Sequence, residues 1–435
     1  MKISTNWLAK FVNISETPSE LAEMLTMLGF EAEVGVDFST MKNIVSAIVI
    51  STKIHPNADK LKLCQIFDGK DELQIVCGAP NVQTGQSVIL AKIGSILPGD
   101  FKIKKAKIRG EESYGMICSE RELGLSDEHE GIMTLGSDIK PGLSISDVLN
   151  PVFSSLELDI SPNRPDALSH LGIAREISVK TNRSLQKPKI NPNVKSSNSK
   201  EKIQINIEDQ IGCPRYIAGV VKNVTVCQSP RWMADSLTSA GMRPINNLVD
   251  ISNYVLLEMG HPTHIFDFGN FPTNTVQIKR AKKGEKFVTL DEEEHILNLE
   301  HLLITNGKEP VALAGIMGGL QSAVSEKTKT VLIESAYFDP VTIRKSSKTL
   351  GMLTESSRRF ERGVDPEGAV TAFWRIVNLL EELAGGDFAS EMVDSYPKKI
   401  EPISFDFTKT KLESIAGFSI DSVFIEQTLS ALEIK

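Results

Sequence analysis

The sequence has few cysteines, and their spacing does not suggest a scaffold. There are five cysteines among 435 residues, an odd number, and no two of them form a C-x-x-C pair. A disulfide framework or a closed zinc site needs paired or closely spaced thiols, so both are disfavoured. We therefore expect reduced thiols and a cytoplasmic protein.

Long apolar segments and nucleotide-binding signatures are also missing. No stretch approaches the roughly 20 apolar residues that span a bilayer, and the opening MKISTNWLAKFVNI lacks the continuous apolar run of a secretory signal. No P-loop is present, so ATP handling by these residues is not indicated. The formal net charge of −8 disfavours indiscriminate binding of polyanions but permits a local basic stripe.

The composition that remains is that of a folded protein with several domains. Apolar residues make up 41% and charged residues 24% of the chain, enough for sizeable cores, and the length favours two to four domains. Short β-type runs fill residues 43–141. Residues 166–182 follow with a helical pattern, for which we predict Asp166 as the N-cap.

The second half of the chain mixes both kinds of element. Residues 186–202 are rich in Lys, Pro, Asn and Ser and predict a linker. From residue 203 onward strands alternate with helices, including one predicted at 368–384. The pattern therefore predicts a multidomain α+β protein.

The β-type region is electrically two-sided. Residues 50–110 hold ten Lys and Arg against five Asp and Glu, whereas residues 111–147 hold two against nine. Within the basic part, a strand over residues 101–109 would line cations along one face. That face suits phosphates, but charge alone favours a solubilising sheet edge equally. The cations are Lys102, Lys104, Lys105, Lys107 and Arg109.

Four phrases in this region resemble a known module. They are HPNADKL at 55–61, IVCGAPNV at 75–82, LPGDFKI at 97–103 and GMICSERELGL at 115–125. Together they are similar to the OB-fold tRNA-binding module of several synthetases and free-standing tRNA-binding proteins. The resemblance implies an OB-fold β-barrel at 41–149 whose basic residues, named above, contact tRNA.

Longer motifs resemble the N-terminal half of the bacterial phenylalanyl-tRNA synthetase beta subunit. They include STNWLAKFV at the start, SPNRPDALSHLGIARE at 161–176, RPINNLVDISNYVLLEMGHPTHIFDF at 243–268, LAGIMGG at 313–319 and TESSRRFERGVDP at 354–366. The resemblance covers residues 1 to about 400. It implies tRNA(Phe) as ligand and an alpha subunit as partner in an α2β2 heterotetramer, with phenylalanine activation in that alpha subunit.

The same resemblance implies a domain layout. The OB-fold would be inserted in a small N-terminal α/β domain formed by residues 1–40 and 150–185. The linker 186–202 would lead to an α+β editing domain of B3/B4 type at 203–396, and residues 400–435 would begin a further small domain of B5 type. The complete enzyme would use ATP and Mg²⁺, with Mg²⁺ ligands beyond residue 435 and none within this chain.

An editing site is implied as well, because tyrosine differs from phenylalanine by one hydroxyl. Glu334 would detect that hydroxyl, and His264 would hold the ester or orient the attacking water. Thr354 would belong to the same site. The groups around the substrate would come from Ser252, Asn253, Ala314, Gly315 and Ser356, the last standing where family members often have Ala.

From the residues alone, the two main candidates look ordinary. A single Glu bordering a strand, such as Glu334, is more often solvent-exposed, and a His in a loop, such as His264, is more often a polar surface residue. Two alternative functions stay open: a free-standing aminoacyl-tRNA deacylase and a non-catalytic tRNA-binding protein. We expect neither, because the chain stops soon after a new domain begins and because a binding protein would not need the implied editing residues.

Overall fold

The computed structural model describes residues 1–125, 131–192, 194 and 201–434. The chain divides into two compact units, each of which mixes helices and strands. The first comprises Met1–Trp7, Ile14–Asp159 and Ala234–Arg243, and the second comprises Leu8–Asn13, Ile160–Met233 and Pro244–Lys435. The predicted multidomain α+β class is confirmed.

The helices and strands have the following bounds. The helices are α1 Thr5–Leu8, α2 Pro18–Met27, α3 Ile145–Phe153, α4 His170–Thr181, α5 Arg231–Ser239, α6 Asn247–Met259, α7 Pro340–Leu350, α8 Glu355–Phe360, α9 Gly368–Ala384, α10 Lys409–Ala416 and α11 Ser422–Ala431. The strands of the first unit are β1 Lys2–Ser4, β2 Glu31–Val36, β3 Ile44–His55, β4 Ala58–Phe67, β5 Glu72–Cys77, β6 Ser87–Lys92, β7 Ile96–Leu97, β8 Phe101–Lys102, β9 Ala106–Ile108, β10 Glu111–Ser113, β11 Gly115–Ile117 and β12 Ser155–Asp159. Those of the second unit are β13 Gln204–Ile207, β14 Arg215–Lys222, β15 Thr263–Asp267, β16 Thr275–Arg280, β17 Lys286–Val288, β18 Glu294–Ile296, β19 Leu302–Thr305, β20 Pro310–Leu313, β21 Met317–Gly318, β22 Thr330–Tyr337, β23 Asp387–Phe388 and β24 Val393–Ser395.

The main sheet of the first unit is curled. Its strand order is β11-β6-β3-β4-β5, all antiparallel, and the outer strands β5 and β11 also contact each other. At this seam the Tyr114 N–H donates to the Gln74 carbonyl at 3.0 Å. Because its edges meet, the sheet leaves little open edge for pairing with another chain. The unit also has a separate antiparallel sheet with the strand order β1-β12-β2.

The basic segment at 101–109 forms two short strands, so the expectation of one strand is wrong. Strand β8 pairs with β7, and β9 pairs with β10. Between them Ile103 is buried and exchanges backbone hydrogen bonds with the stretch before β7: Ile103 N–H donates to Ser95 at 2.9 Å, and Gly94 N–H donates to Ile103 at 2.9 Å. The alternation of exposed and buried side chains thus holds from Lys102 to Lys104, but pairing to β7 ends at Lys102 and β9 pairs with a different strand.

Two five-stranded sheets enclose the core of the second unit. One has the order β13-β16-β19-β20-β21, and the other has the order β15-β22-β14-β23 with β24 also paired to β14. Apolar side chains from both sheets form one buried cluster, which includes Val276, Leu303, Leu332 and Phe338. Helix α9 packs on β14 and β22, and α6 packs on β15 and α9. Strand β22 thus lies in the middle of its sheet, with a partner on each side.

Helix predictions from the sequence were partly correct. The helix predicted at 368–384 is confirmed as α9. Helix α4 begins later than predicted: its N-cap is Ser169, whose hydroxyl accepts from Gly172 N–H, whereas Asp166 lies in a preceding 3₁₀ turn. Asp166 pairs with the Arg164 guanidinium instead of capping the helix.

The domain boundaries stay predictions. Of the predicted linker, residues 193 and 195–200 lie outside the described residues, and 186–192 have no helix or strand. Residues 401–434 contain α10 and α11. Within the described part of the chain, no helix is long and apolar enough to cross a bilayer.

Candidate functional site: a buried cavity with a glutamate and a histidine

A cavity of about 480 Å³ lies in the second unit. Its walls come from α6, β15, the β20–β21 turn, β22 and the start of α8. Seven of the eight residues predicted for an editing site line it: Ser252, Asn253, His264, Gly315, Glu334, Thr354 and Ser356. The eighth, Ala314, belongs to the buried core, where its N–H donates to the Leu302 carbonyl at 3.0 Å.

Strand register brings the two principal side chains together. Glu334 on β22 lies opposite His264 on β15 and opposite Ala218 on β14. Directly opposed residues of an antiparallel pair project from the same face of the sheet, with Cβ atoms about 4.5–5.5 Å apart. The expectations from single residues are therefore wrong for both: Glu334 is only 6% exposed, and His264 stands in a strand and not in a loop.

Burial changes the acid–base chemistry of Glu334. Loss of hydration penalises the anion and raises the pKa of this carboxyl to about 8. The Tyr216 phenol acts in the opposite direction, because it donates a hydrogen bond to Oε2 of Glu334 at 3.1 Å. Tyr216 was not singled out from the sequence, where nothing in its neighbourhood marks it as more than a core tyrosine.

His264 is held as a neutral imidazole. Burial lowers its pKa to about 4, so at neutral pH the ring accepts a proton or a hydrogen bond through one nitrogen and donates through the other. Its ring packs edge-on against Phe266, with centroids 4.4 Å apart. A Cβ on Gly318 would stand 2.9 Å from both Cε1 and Nε2 of His264, so a side chain there would force the ring out of its present position.

The hydroxyl groups of the cavity fasten its walls to one another. Thr354 caps α8 by accepting from Ser357 N–H at 3.0 Å and donates to the Ile316 carbonyl at 2.9 Å. Ser356 donates to the Gly315 carbonyl at 3.1 Å, and Ser252 donates to the carbonyl of Thr263 at 2.6 Å. These three hydroxyl protons are thus committed to backbone carbonyls.

The arrangement suits acid–base chemistry on a small, largely apolar ligand. The cavity falls within the usual size of small-molecule sites, and its lining is mostly apolar. A neutral imidazole can orient or deprotonate water, and a buried carboxyl can accept a hydrogen bond. Across the ranges that the structure describes, no group of three or more His, Cys, Asp or Glu side chains is placed to hold a metal ion.

The basic residues of the first unit form a separate, exposed feature. Lys102, Lys104, Lys107 and Arg109 are all exposed. Lys105 differs from them, because its Nζ lies 2.9 Å from a Glu112 carboxylate oxygen and 4.7 Å from the centre of the Tyr114 ring.

Comparison with protein families finds two modules. The family described as "Putative tRNA binding domain" matches residues 44–144, and the family described as B3/4 domain matches residues 212–385, which include all the residues that line the cavity. The chain is thus a protein that joins a tRNA-binding module to a B3/4 domain.

Curated relatives define that class further. The chain is 44% identical to the phenylalanine–tRNA ligase beta subunit of Geobacter metallireducens and 41% identical to that of Syntrophus aciditrophicus; each alignment covers 100% of this chain and 54% of the relative. The beta subunit of Oceanobacillus iheyensis is 46% identical over 89% of this chain and 49% of its own length. The chain is a homologue of phenylalanine–tRNA ligase beta subunits and spans about half the length of the relatives it matches.

Proposed function

We propose that this chain provides tRNA binding and hydrolytic editing of Tyr-tRNA(Phe) to a cytoplasmic phenylalanine–tRNA ligase. Its partner is an alpha subunit, with which it forms an α2β2 enzyme that activates phenylalanine with ATP and Mg²⁺ in the alpha chain. The observation that carries the editing role is the pairing of Glu334 and His264 across strands β22 and β15 in one buried cavity. The curled sheet of the first unit is the OB-fold that contacts tRNA.

Glu334 recognises tyrosine, the amino acid that editing must remove. A hydrophobic pocket rejects an added hydroxyl by only about a hundredfold, so an enzyme for phenylalanine needs a second selection against tyrosine. In the cavity, a tyrosine phenol donates a hydrogen bond to Glu334, whereas phenylalanine offers no donor. Because the free carboxyl has a pKa of about 8, phenylalanine leaves it protonated near neutral pH, while the phenol favours the anion.

His264 acts at the other end of the substrate. Its neutral ring lies opposite Glu334 and beside the Gly318 backbone. It orients the water that attacks the ester carbonyl and takes a proton from it; when the bond between the carbonyl carbon and the ribose oxygen breaks, the imidazolium returns that proton to the ribose oxygen, which leaves as an alcohol. The two side chains therefore have separate tasks: Glu334 reads the ring and His264 serves the reacting carbonyl.

The whole-chain similarity to ligase subunits favours this function over the two alternatives. A free-standing deacylase would share the cavity but not the alpha subunit. A purely tRNA-binding protein would not need a buried carboxyl and imidazole in register.

The test is Glu334→Ala in the complete beta chain assembled with its alpha subunit. Loss of one charge-assisted hydrogen bond should slow single-turnover hydrolysis of Tyr-tRNA(Phe) by about one to two decades. Slow hydrolysis of Phe-tRNA(Phe) should change little, because phenylalanine does not use the carboxyl.

The matched control is Glu326→Ala, which removes an exposed glutamate of the same unit and should leave both rates unchanged. An equal loss on both esters with Glu334→Ala would remove Glu334 as the hydroxyl detector. Wild-type rates on both would place editing outside this cavity.

A further inference from the structure

The antiparallel register of strands β14 and β22 brings the phenol of Tyr216 next to Glu334. Tyr216 lies opposite Ala336, and Ala218 lies opposite Glu334, so the tyrosine and the glutamate are diagonal neighbours on one face of the sheet. Both alanines are fully buried. Because their side chains are a single methyl group, the tyrosine ring can extend across them to the carboxyl, and its hydroxyl reaches Oε2 at 3.1 Å.

We propose that Tyr216 is a specificity-determining positioning residue, which holds Oε2 of Glu334 so that Oε1 faces the cavity and receives the phenol of the substrate. The inference rests on the proposed editing function and extends it to a residue outside the cavity lining. Glu334 then accepts two phenols at once, one from the protein and one from the misplaced tyrosine.

The hydrogen bonds around the carboxyl support this division of its oxygens. Among the described residues, the Tyr216 hydroxyl is the one group that hydrogen-bonds to the Glu334 side chain, and it uses Oε2. Glu334 lines the cavity, while Tyr216 is fully buried behind it. Without the Tyr216 hydroxyl, no hydrogen bond in the described chain would fix the rotation of the carboxyl about its terminal bond.

Stability alone does not explain such a pair. Burying a carboxyl costs more than burying an apolar group of the same shape, and one neutral hydrogen-bond donor returns only part of that cost. A core position that served packing would be filled as well by a phenylalanine opposite an apolar side chain. The pair is therefore better explained by recognition than by packing.

Other titratable groups near the carboxyl do not replace Tyr216. Cys213, which precedes β14, is fully buried, and desolvation raises the pKa of its thiol, so it stays neutral. His264 on β15 is also neutral near pH 7. Glu355 on α8 lines the cavity, but its carboxylate is held by Arg359 at 2.6 Å. None of these groups brings a positive charge next to Glu334. The Tyr216 phenol is therefore the group that stabilises its anion.

The experiment is Tyr216→Phe in the complete beta chain assembled with its alpha subunit. The measured quantity is the ratio of single-turnover hydrolysis rates for Tyr-tRNA(Phe) and Phe-tRNA(Phe), from about pH 6 to about pH 9. In the wild type the ratio should rise with pH as Glu334 ionises. In the variant it should be about tenfold lower near neutral pH, and its rise should shift to higher pH, because the anion has lost a donor.

Three further measurements decide the outcome. Tyr254→Phe removes another buried phenol hydroxyl of the same unit, on α6, and should leave the ratio and its pH profile unchanged. Glu334→Gln should make the ratio independent of pH. Thermal unfolding of each variant shows whether it is folded, and an altered ratio with an unaltered pH profile would mean that Tyr216 serves only packing.

The failure of this inference differs from the failure of the editing proposal. If Tyr216→Phe leaves ratio and profile at wild-type values while Glu334→Gln abolishes discrimination, Tyr216 has no positioning role and editing by Glu334 stands. If Glu334→Gln leaves discrimination intact, Glu334 is not the detector, and both proposals are overturned.

Discussion

The cavity of the second unit and the basic segment of the first use charge in opposite ways. Glu334 is buried and His264 is partly buried, and loss of hydration raises the pKa of the carboxyl to about 8 and lowers that of the imidazole to about 4, so both side chains favour their neutral forms. Lys102, Lys104 and Lys107, by contrast, are exposed to solvent.

The difference follows from the surrounding dielectric. Interactions between charges in water at physiological salt fade within about 8 Å, whereas a buried group responds to a single hydrogen bond. A few enclosed side chains can therefore distinguish one hydroxyl, while an exposed basic segment attracts phosphates in general. Specificity should reside in the cavity and salt-dependent affinity in the basic segment.

The largest effect is expected at His264. His264→Ala should slow hydrolysis of Tyr-tRNA(Phe) and Phe-tRNA(Phe) alike by at least about a hundredfold, because general acid–base groups contribute at least that much. Single-turnover deacylation by the assembled enzyme measures it. The control is His295→Ala, which removes a partly buried histidine of β18 outside the cavity lining. A slower rate on only one of the two esters would mean that His264 contacts the aromatic ring of the amino acid and not the reacting carbonyl.

A moderate, pH-dependent effect on stability is expected for Glu334→Gln. The folded Glu334 carboxyl keeps a proton up to about pH 8, whereas the unfolded carboxyl loses it near its ordinary value of 4.5. Between these values the folded state binds more protons, so this group makes stability fall as pH rises through that window. Glu334→Gln removes the titration. Its melting temperature should exceed that of the wild type by a few degrees at about pH 9, and the gap should shrink toward about pH 5.

Differential scanning calorimetry of the two assembled enzymes across this range gives the comparison. A temperature gap that does not change with pH would mean that Glu334 does not titrate in the window. Burial would then not control the protonation of Glu334, and the contrast with the exposed basic segment would be lost.

The smallest effect is expected in the basic segment. Replacing Lys102, Lys104, Lys107 and Arg109 together by Ala should weaken tRNA binding and lower the magnitude of its salt slope by about one for each lost phosphate contact. Lys105→Ala should change less than Lys104→Ala, because Glu112 already pairs with Lys105. Equilibrium binding at several salt concentrations tests both statements. An unchanged slope in the quadruple variant would make the segment a solubilising edge.

Local patterns predicted local structure well. Helix α9 has the predicted bounds, because an apolar repeat at helical spacing and a closing glycine act within a few residues of one another. The N-cap of α4 was misplaced because both Asp166 and Ser169 are good capping residues, and the choice depends on Asp166 pairing with Arg164.

The site could not be predicted from local pattern. Glu334 and His264 are 70 positions apart, and their burial follows from the pairing of β22 with β15, which a single sequence does not reveal. The resemblance to a known family supplied the residues, but it did not supply Tyr216 or the need for glycine at 318. The role of Tyr216 follows from its position diagonal to Glu334 on paired strands, next to Ala218 and Ala336. The role of Gly318 follows from its short distance to the His264 imidazole.

The bond between Tyr216 and Glu334 also has a consequence for synthesis of the chain. Its two ends are separated by 118 positions. At roughly 5–20 residues per second, about ten seconds pass between the polymerisation of one end and that of the other. Throughout that interval strand β14 lacks β22, its longest partner, and the phenol has no carboxyl to meet. The hydrogen bond that holds the Glu334 carboxyl can therefore form only after β22 has been synthesised, well after β14 has left the site of polymerisation.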